Sequence, residues 1–262
     1  MFPAVRKAVT AHAWEWMFPY AWDMELQGSM QLQHLGAEGI PGLEVHVLRK
    51  QDWKPVGTYR VTDTACRLQG SDGRVLFLKD ERPEVPYACA AVAGLLYIAA
   101  PAIGRALWAG RTWMMQEWIP GTRTAFDWEM GHDERVLPPL ETPPYREWRN
   151  RLMVLDAVIS NHDRNPSNIL IGHDAHEAQT GYFAIDMKMA CDASKEIVTP
   201  SLPEMLPEGM EHMLHSWKER GHPADGELQQ LLFEERYRAL CARRDAVLAW
   251  YGSRLGNGTA PS

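Results

Sequence analysis

Cysteine is scarce in this chain and shows no pattern. Four cysteines stand at 66, 89, 191 and 241 of 262 residues, with no Cys-x-x-Cys pair. That spacing offers neither a disulfide framework nor a zinc knuckle, and points to reduced thiols in a cytoplasmic setting. Long apolar runs are missing too. The longest, around Ala88 to Ala102, contains Gly94 and Pro101 and falls short of the roughly 18 to 20 residues of a membrane span. It reads as a buried helix and its exit.

Positive charge is in deficit. Lys and Arg total 27 against 34 Asp and Glu, a net charge of -7, which argues against nucleic acid as a partner and gives no support to docking on an anionic membrane. The arginines at 236, 238, 243 and 244 alternate with acids and predict a solvated helix face. The first residues, MFPAVRKAVTAHAWEWMFPYAW, have the early basic residues of an export signal. His12 and Glu15 interrupt the apolar stretch and no small-residue cleavage site follows, which argues against export. No internal repeat is visible, and residues 1–45, rich in Trp and Met, carry no legible chemistry.

What the chain does have is order in its polar residues. LEVHVL alternates like a strand. GTYRVTDTACRLQGSDGRVLFLKD contains two alternating arms around Gly70-Ser71-Asp72-Gly73, a hairpin signal because Gly and Asp accept the dihedral angles of tight turns. The second arm ends at Lys79. EVPYACAAVAGLL predicts a helix, and Thr112 to Gln116 a further strand closing at Glu117-Trp118-Ile119. After the Pro-rich LPPLETPPY, residues Tyr145, Trp148, Leu152, Leu155 and Ile159 recur at helical spacing on one face. The remainder, EHMLHSWKER and the stretch from Leu228 to about Leu255, reads as helical.

Between the helix ending at Ile159 and the short strand Asn168 to Ile171 lies a polar knot: VISNHDRNPSNILIG, residues 158–172. A turn alone would explain Asn, Asp, Ser and Pro there. A second strand, GYFAID, ends in another acid. Pairing of the two strands would put Asn168 beside Asp186, a carboxylate and an amide oxygen that suit Mg²⁺, which takes few protein ligands and leaves places for phosphate. Asp163, five residues before Asn168, is positioned to accept a proton from an attacking hydroxyl, the division of labour of kinase-type phosphoryl transfer.

The string N-H-D-R-N-P-S-N-I-L-I with the later F-A-I-D resembles the HipA-like kinases and, more distantly, the phosphatidylinositol 3-/4-kinases. The likeness runs from about residue 55 to 200. It implies an α+β, bilobal, protein-kinase-like fold with a small, mainly antiparallel β N-lobe and a mostly helical C-lobe. The corresponding domains are an N-terminal segment of unknown role (1–45), a nucleotide-binding N-lobe (46–121), a C-lobe with the catalytic loop (122–255) and a flexible tail (256–262). The resemblance implies Asp163 as catalytic base, Asn168 and Asp186 as metal ligands, and Arg164 as organiser of the loop. Lys79 is similar to the lysine that meets nucleotide phosphates. Glu84 resembles its ion-pair partner, with Glu81 as rival. Gly57 with Thr58 would cover the phosphates, and Glu117 to Ile119 would form the hinge whose backbone meets adenine.

The implied activity is transfer of the γ-phosphoryl group of ATP, with Mg²⁺, to a protein Ser or Thr hydroxyl; a small-molecule or lipid acceptor is the alternative. The chain departs from the family pattern in three places. Asp186-Met187-Lys188 lacks the glycine that many relatives have after this Asp and adds a cation. Asn165 stands where relatives often have His, and the Gly-rich loop is reduced to little more than Gly57. These departures keep a further reading open, a nucleotide-binding regulator that no longer transfers phosphate. The pairs His212/His215 and His173/His176 lack a third ligand at metal-binding spacing and read as surface residues. Asp156 is expected to be structural.

Overall fold

The computed structural model describes residues 43, 45–56, 64–119, 121–130, 142–173, 180–194, 196–197, 202–221 and 225–256. Residues 1–42, Gly57 with Thr58, His176 and the end of the tail lie outside them. The described N-terminal part is a six-stranded sheet in the order β1-β5-β6-β4-β3-β2. Its strands are β1 (Val45–Val47), β2 (Trp53–Pro55), β3 (Ala65–Gly70), β4 (Val75–Lys79), β5 (Ile103–Trp108) and β6 (Arg111–Glu117). All neighbours are antiparallel except β1 with β5.

The alternation seen in the sequence becomes a two-faced sheet. Cys66, Leu68, Leu76 and Leu78 turn inward and meet Trp53, Ala106, Trp108, Trp113 and Met115. The β3–β4 turn falls on the predicted residues: Gly73 has φ of 86°, and Asp72 Oδ1 accepts the Arg74 backbone N–H at 2.9 Å. Strand β5 is not anticipated by the sequence reading. Its buried positions are Gly104, Ala106 and Trp108, and its half-buried ones are Ile103, Arg105 and Leu107, so the large aliphatic side chains sit on the less buried face and the usual period-two signal is inverted. A Cβ at Gly104 would meet Met115 Cε at 3.0 Å.

Helix α1 (Glu84–Leu95) lies between β4 and β5 in the chain. It is rich in small residues, and Ala88, Cys89, Val92 and Ala93 pack into the large helical core rather than the sheet's own cluster. That core also contains Leu152, Leu155 and Ile159 of α3 (Pro143–Ile159), Leu214 and Trp217 of α4 (Met210–Arg220), and Leu231, Leu240 and Val247 of α5 (Asp225–Gly256). Truncating one such buried leucine to alanine costs about 2 to 5 kcal/mol. A three-stranded sheet, β7 (Thr122–Thr124), β8 (Ile169–His173) and β9 (Thr180–Ala184), and the short α2 (Ala125–Met130) complete the fold. Helix α5 is broken at Phe233, whose φ of 56° is non-helical.

One expectation is corrected. Arg243 and Arg244 are not on a solvated face: Arg243 is fully buried and Arg244 nearly so. Arg243 Nε donates to the Val158 carbonyl at 2.8 Å, and its Nη1 donates to the carbonyls of Asp192 and Ser194. Burial lowers its pKa from the ordinary arginine value. Backbone carbonyls left by an irregular segment need donors, and a buried guanidinium supplies several at once. Arg244 lies over the Trp217 ring at 5.0 Å.

Candidate active site

The site begins with how α3 ends. Ser160 takes the left-handed conformation (φ 55°) as C-cap, and the N–H groups of Ser160 and Asn161 both reach the Asp156 carbonyl. The chain therefore leaves the helix abruptly and enters the polar knot. Asn165 caps the next short turn, its Oδ1 accepting the Ser167 N–H at 2.9 Å, and Pro166–Asn168 form a single 3-10 turn that delivers Asn168 to the start of β8.

Arg164 ties the knot to its surroundings. Its Nε and Nη2 donate to the Asp156 carboxylate at 3.0 and 2.9 Å. Its Nη1 donates to the carbonyls of Asn168 and Ile185, each at 2.8 Å. Arg164 and Asp156 are each only 12% exposed. Burial raises the Asp156 pKa, and the hydrogen bonds and charge of Arg164 oppose that rise. The planar guanidinium does here what an ammonium cannot, holding a carboxylate with one side and two carbonyls with the other.

The hairpin register carries this order to the second acid. Ile169 pairs with Ala184, and the Ile185 N–H donates to the Asn168 carbonyl at 3.1 Å, so Asp186 follows immediately beside Asn168. Asn168 Nδ2 donates to the Asp163 carbonyl at 2.7 Å, which fixes the amide plane and turns its oxygen the other way. Asp186 has φ of 55°, a conformation Asp tolerates better than most side chains. Asp163, Asn168 and Asp186 thus share one mouth of the small sheet. Asp163 itself is exposed there.

From the other lobe, Lys79 at the end of β4 places Nζ 3.2 Å from Asp186 Oδ1. Lys188 reaches the same oxygen at 3.9 Å and Glu81 Oε1 at 3.2 Å. Its pKa is raised, first by the Glu81 hydrogen bond and then by Asp186, with Asp163 contributing. Lys188 is 42% exposed, and such pairs are worth about 0.2 to 1 kcal/mol. The Lys79 bridge, with partners 16% and 24% exposed, is the better sheltered of the two. Where Lys79, Glu81 and Asp186 meet, the enclosed space is only about 10 Å³, room for about one water.

Other expected residues fall differently. Glu84 does not pair with Lys79: its Oε1 accepts from Arg105 on β5, a partner hidden from the sequence reading because β5 itself was. The rival Glu81 takes Lys188. Glu117 is the last residue of β6; its N–H donates to the Ala102 carbonyl at 3.0 Å, and burial raises its carboxyl pKa. The Ile119 carbonyl accepts from Thr122 Oγ1 at 2.8 Å, and the Trp118 ring lies 5.0 Å from the Arg67 guanidinium carbon. His162 Nε2 and Ser160 Oγ form a hydrogen bond at 2.9 Å. His212 and His215 are exposed.

A hard divalent cation fits the donor set. Asp186 and Asn168 offer a carboxylate and an oriented amide oxygen, and Mg²⁺ with two protein ligands leaves its other positions to phosphate and water. Among the described residues no three His, Cys, Asp or Glu side chains form a metal cluster, so those two oxygens would be the protein's share. A larger cavity, about 570 Å³, lies elsewhere, lined by Tyr145, Arg149, Asp156, His162 and Arg164 among others. Cys89 Sγ and Cys191 Sγ touch at 3.5 Å in the core beside the site. Burial raises the Cys89 pKa well above the ordinary thiol value, which makes it a packing group rather than a nucleophile.

No protein-family model matches this chain, and no curated protein matches it. Among solved structures the chain is similar to the Helicobacter pylori proinflammatory kinase CtkA, with a TM-score of 0.51 at 9% identity over 79% of this chain and 96% of that one. It is also similar to WaaP in complex with acyl carrier protein, with a TM-score of 0.39 at 13% identity over 79% of this chain and 90% of that one. The fold is kinase-like: an antiparallel-rich N-terminal sheet joined to a helical C-terminal part. No helix among the described residues is long and apolar enough to cross a membrane.

Proposed function

We infer that this chain is an ATP- and Mg²⁺-dependent phosphotransferase of HipA-like type, which moves the γ-phosphoryl group to a hydroxyl, with a protein Ser or Thr as the acceptor. The observation that carries the reading is the Lys79–Asp186 bridge at 3.2 Å. It joins the end of the N-terminal sheet to a hairpin whose other strand directly follows Asn168, already oriented by the Asp163 carbonyl. Residues 46–121 form the nucleotide lobe in this reading, and 122–255 the lobe that presents the acceptor.

Lys79 offers an ammonium to the phosphates, and Asp186 and Asn168 would hold the cation. A bound Mg²⁺ would supply positive charge to offset that of the phosphates. Asp163 orients the acceptor hydroxyl. A bond forms between its oxygen and the γ-phosphorus while the bond from that phosphorus to the β–γ bridging oxygen breaks. ADP leaves with the electron pair, and the hydroxyl proton passes to Asp163. Little covalent work is required of the protein, so positioning and charge supply most of the rate. Arg164 maintains that positioning by holding both sides of the hairpin.

Lys188, 3.9 Å from Asp186, favours a second reading, a regulator that binds nucleotide without turnover. Radiolabel transfer from γ-labelled ATP separates the two. Wild type labels itself or a Ser/Thr protein acceptor while Asp186→Asn does not; no label with any acceptor, alongside intact nucleotide binding, selects the regulator.

A further inference from the structure

Lys188 is the cation that the sequence pattern did not call for, and its surroundings give it a task. Its ammonium is shared between Glu81 Oε1 and Asp186 Oδ1, at 3.2 and 3.9 Å. That Asp186 oxygen is the one Lys79 also bonds. Two ammonium groups, one from each lobe, therefore converge on a single carboxylate oxygen at the mouth where Asp163 is exposed. Resting on the kinase reading above, we propose that Lys188 is a second phosphate-binding cation of the nucleotide site, and that Glu81 holds it in reserve until a triphosphate arrives.

Three observations support this. First, Lys188 is acted on by Glu81, Asp186 and Asp163, and Lys79 bonds the same Asp186 oxygen, so within this group the acids would outnumber the cations three to one without Lys188. Second, the Glu81–Lys188 contact is exposed enough to be weak, whereas an ammonium–phosphate bond is charge-assisted on both sides. Third, Glu81 holds Lys188 by a single oxygen, at 3.2 Å. Its Oε1 serves Lys188 alone among the described residues, and its Oε2 is buried without a hydrogen-bond partner among them, in the small space that Lys79 also lines. A Lys at this place is also long and flexible enough to follow a phosphate. Lys188 then touches the β- or γ-phosphate, and Glu81 acts on it only as a positioning residue.

Isothermal titration calorimetry on the full chain tests the idea, with AMP-PNP and AMP as probes, in Mg²⁺ and in EDTA. Lys188→Met is expected to weaken AMP-PNP binding about 10- to 100-fold, the worth of a hydrogen bond to a charged group, and more in EDTA than in Mg²⁺. AMP, lacking both outer phosphates, should bind this variant within about twofold of wild type. Lys188→Arg should restore AMP-PNP affinity. Glu81→Gln, which frees Lys188, should tighten AMP-PNP binding about two- to fivefold and provides an independent arm should Lys188→Met fold poorly. Unchanged or tighter AMP-PNP binding by a folded Lys188→Met overturns the proposal, because the ammonium would then be a plug on the Asp186 cation position; so does Glu81→Gln that binds no tighter. Wild type that binds neither probe under any condition overturns the kinase reading itself.

Discussion

Lys79 Nζ and Asp186 Oδ1 stand 3.2 Å apart although 107 positions separate them in the chain. The first ends a strand of the N-terminal sheet and the second follows a hairpin of the helical part, so this one bridge reports how the two parts are set against each other. Lys79→Met should lower turnover about 10²- to 10³-fold, as loss of one preorganised charge partner commonly does. A coupled assay of ADP release checks it. Turnover within a factor of two of wild type would remove Lys79 from the chemistry.

Asp163 is exposed; its carbonyl accepts from Asn168 at 2.7 Å, while its side-chain Oδ1 accepts a longer bond, 3.4 Å, from the exposed Asn165. Asp163→Ala keeps that carbonyl. It should cost about 10² to 10⁴ in rate, the range for a positioned proton acceptor, while leaving AMP-PNP affinity within about threefold by calorimetry. A large loss of affinity would show that the side chain serves binding instead.

Arg164 should matter for stability as well as for rate. With both partners 12% exposed, Arg164→Ala strands a buried carboxylate, a change that costs about 3 to 5 kcal/mol. Arg164→Lys keeps the charge but not the fork and should recover only part of this. Urea unfolding followed by tryptophan fluorescence measures both. Equal stability of Ala and Lys variants would refute the role of the planar geometry.

The same pair predicts a pH dependence. Burial raises the Asp156 pKa in the folded state, and Arg164 only partly offsets it. The folded chain therefore binds this proton more tightly than the unfolded one. The resulting stability is fully present below the ordinary carboxylate value and is lost as pH rises through the raised one. Subtracting the unfolding free energy of Asp156→Asn from that of wild type, across mildly acidic to neutral pH, should give a difference that falls as pH rises. A difference that rises would reverse the assignment.

Arg243 is fully buried, and its guanidinium serves three carbonyls across Val158, Asp192 and Ser194. Arg243→Leu should leave several of them unsatisfied, at about 1 to 3 kcal/mol each, and should speed proteolysis near residues 192–194. Stability within about 0.5 kcal/mol of wild type, the range of a surface change, would contradict this.

Much of the kinase-like frame was legible because it is written locally. The helix from Pro143 to Ile159, the knot after it and the paired strands around 169 and 184 each carry their own periodicity or turn chemistry. The placement of Asn168 beside Asp186 follows from hairpin geometry alone. What was not legible depends on distant partners. Nothing in the neighbourhood of Glu84 names Arg105, since the strand that presents it buries Gly and Ala and so lacks the usual pattern. Arg243 looks like any charged helix residue until the carbonyls of a remote irregular segment are placed against it. Lys188 was noted as a departure, but its pairing with Glu81 needed the relative position of the two parts.

The most direct measurement is intact mass spectrometry of the purified protein after incubation with ATP and Mg²⁺, supplied with a Ser/Thr protein acceptor. The account predicts a gain of a whole number of phosphates on the chain or on the acceptor, abolished in Asp163→Ala and in Asp186→Asn. An unchanged mass for both, with ATP bound but intact, would contradict phosphoryl transfer by this site.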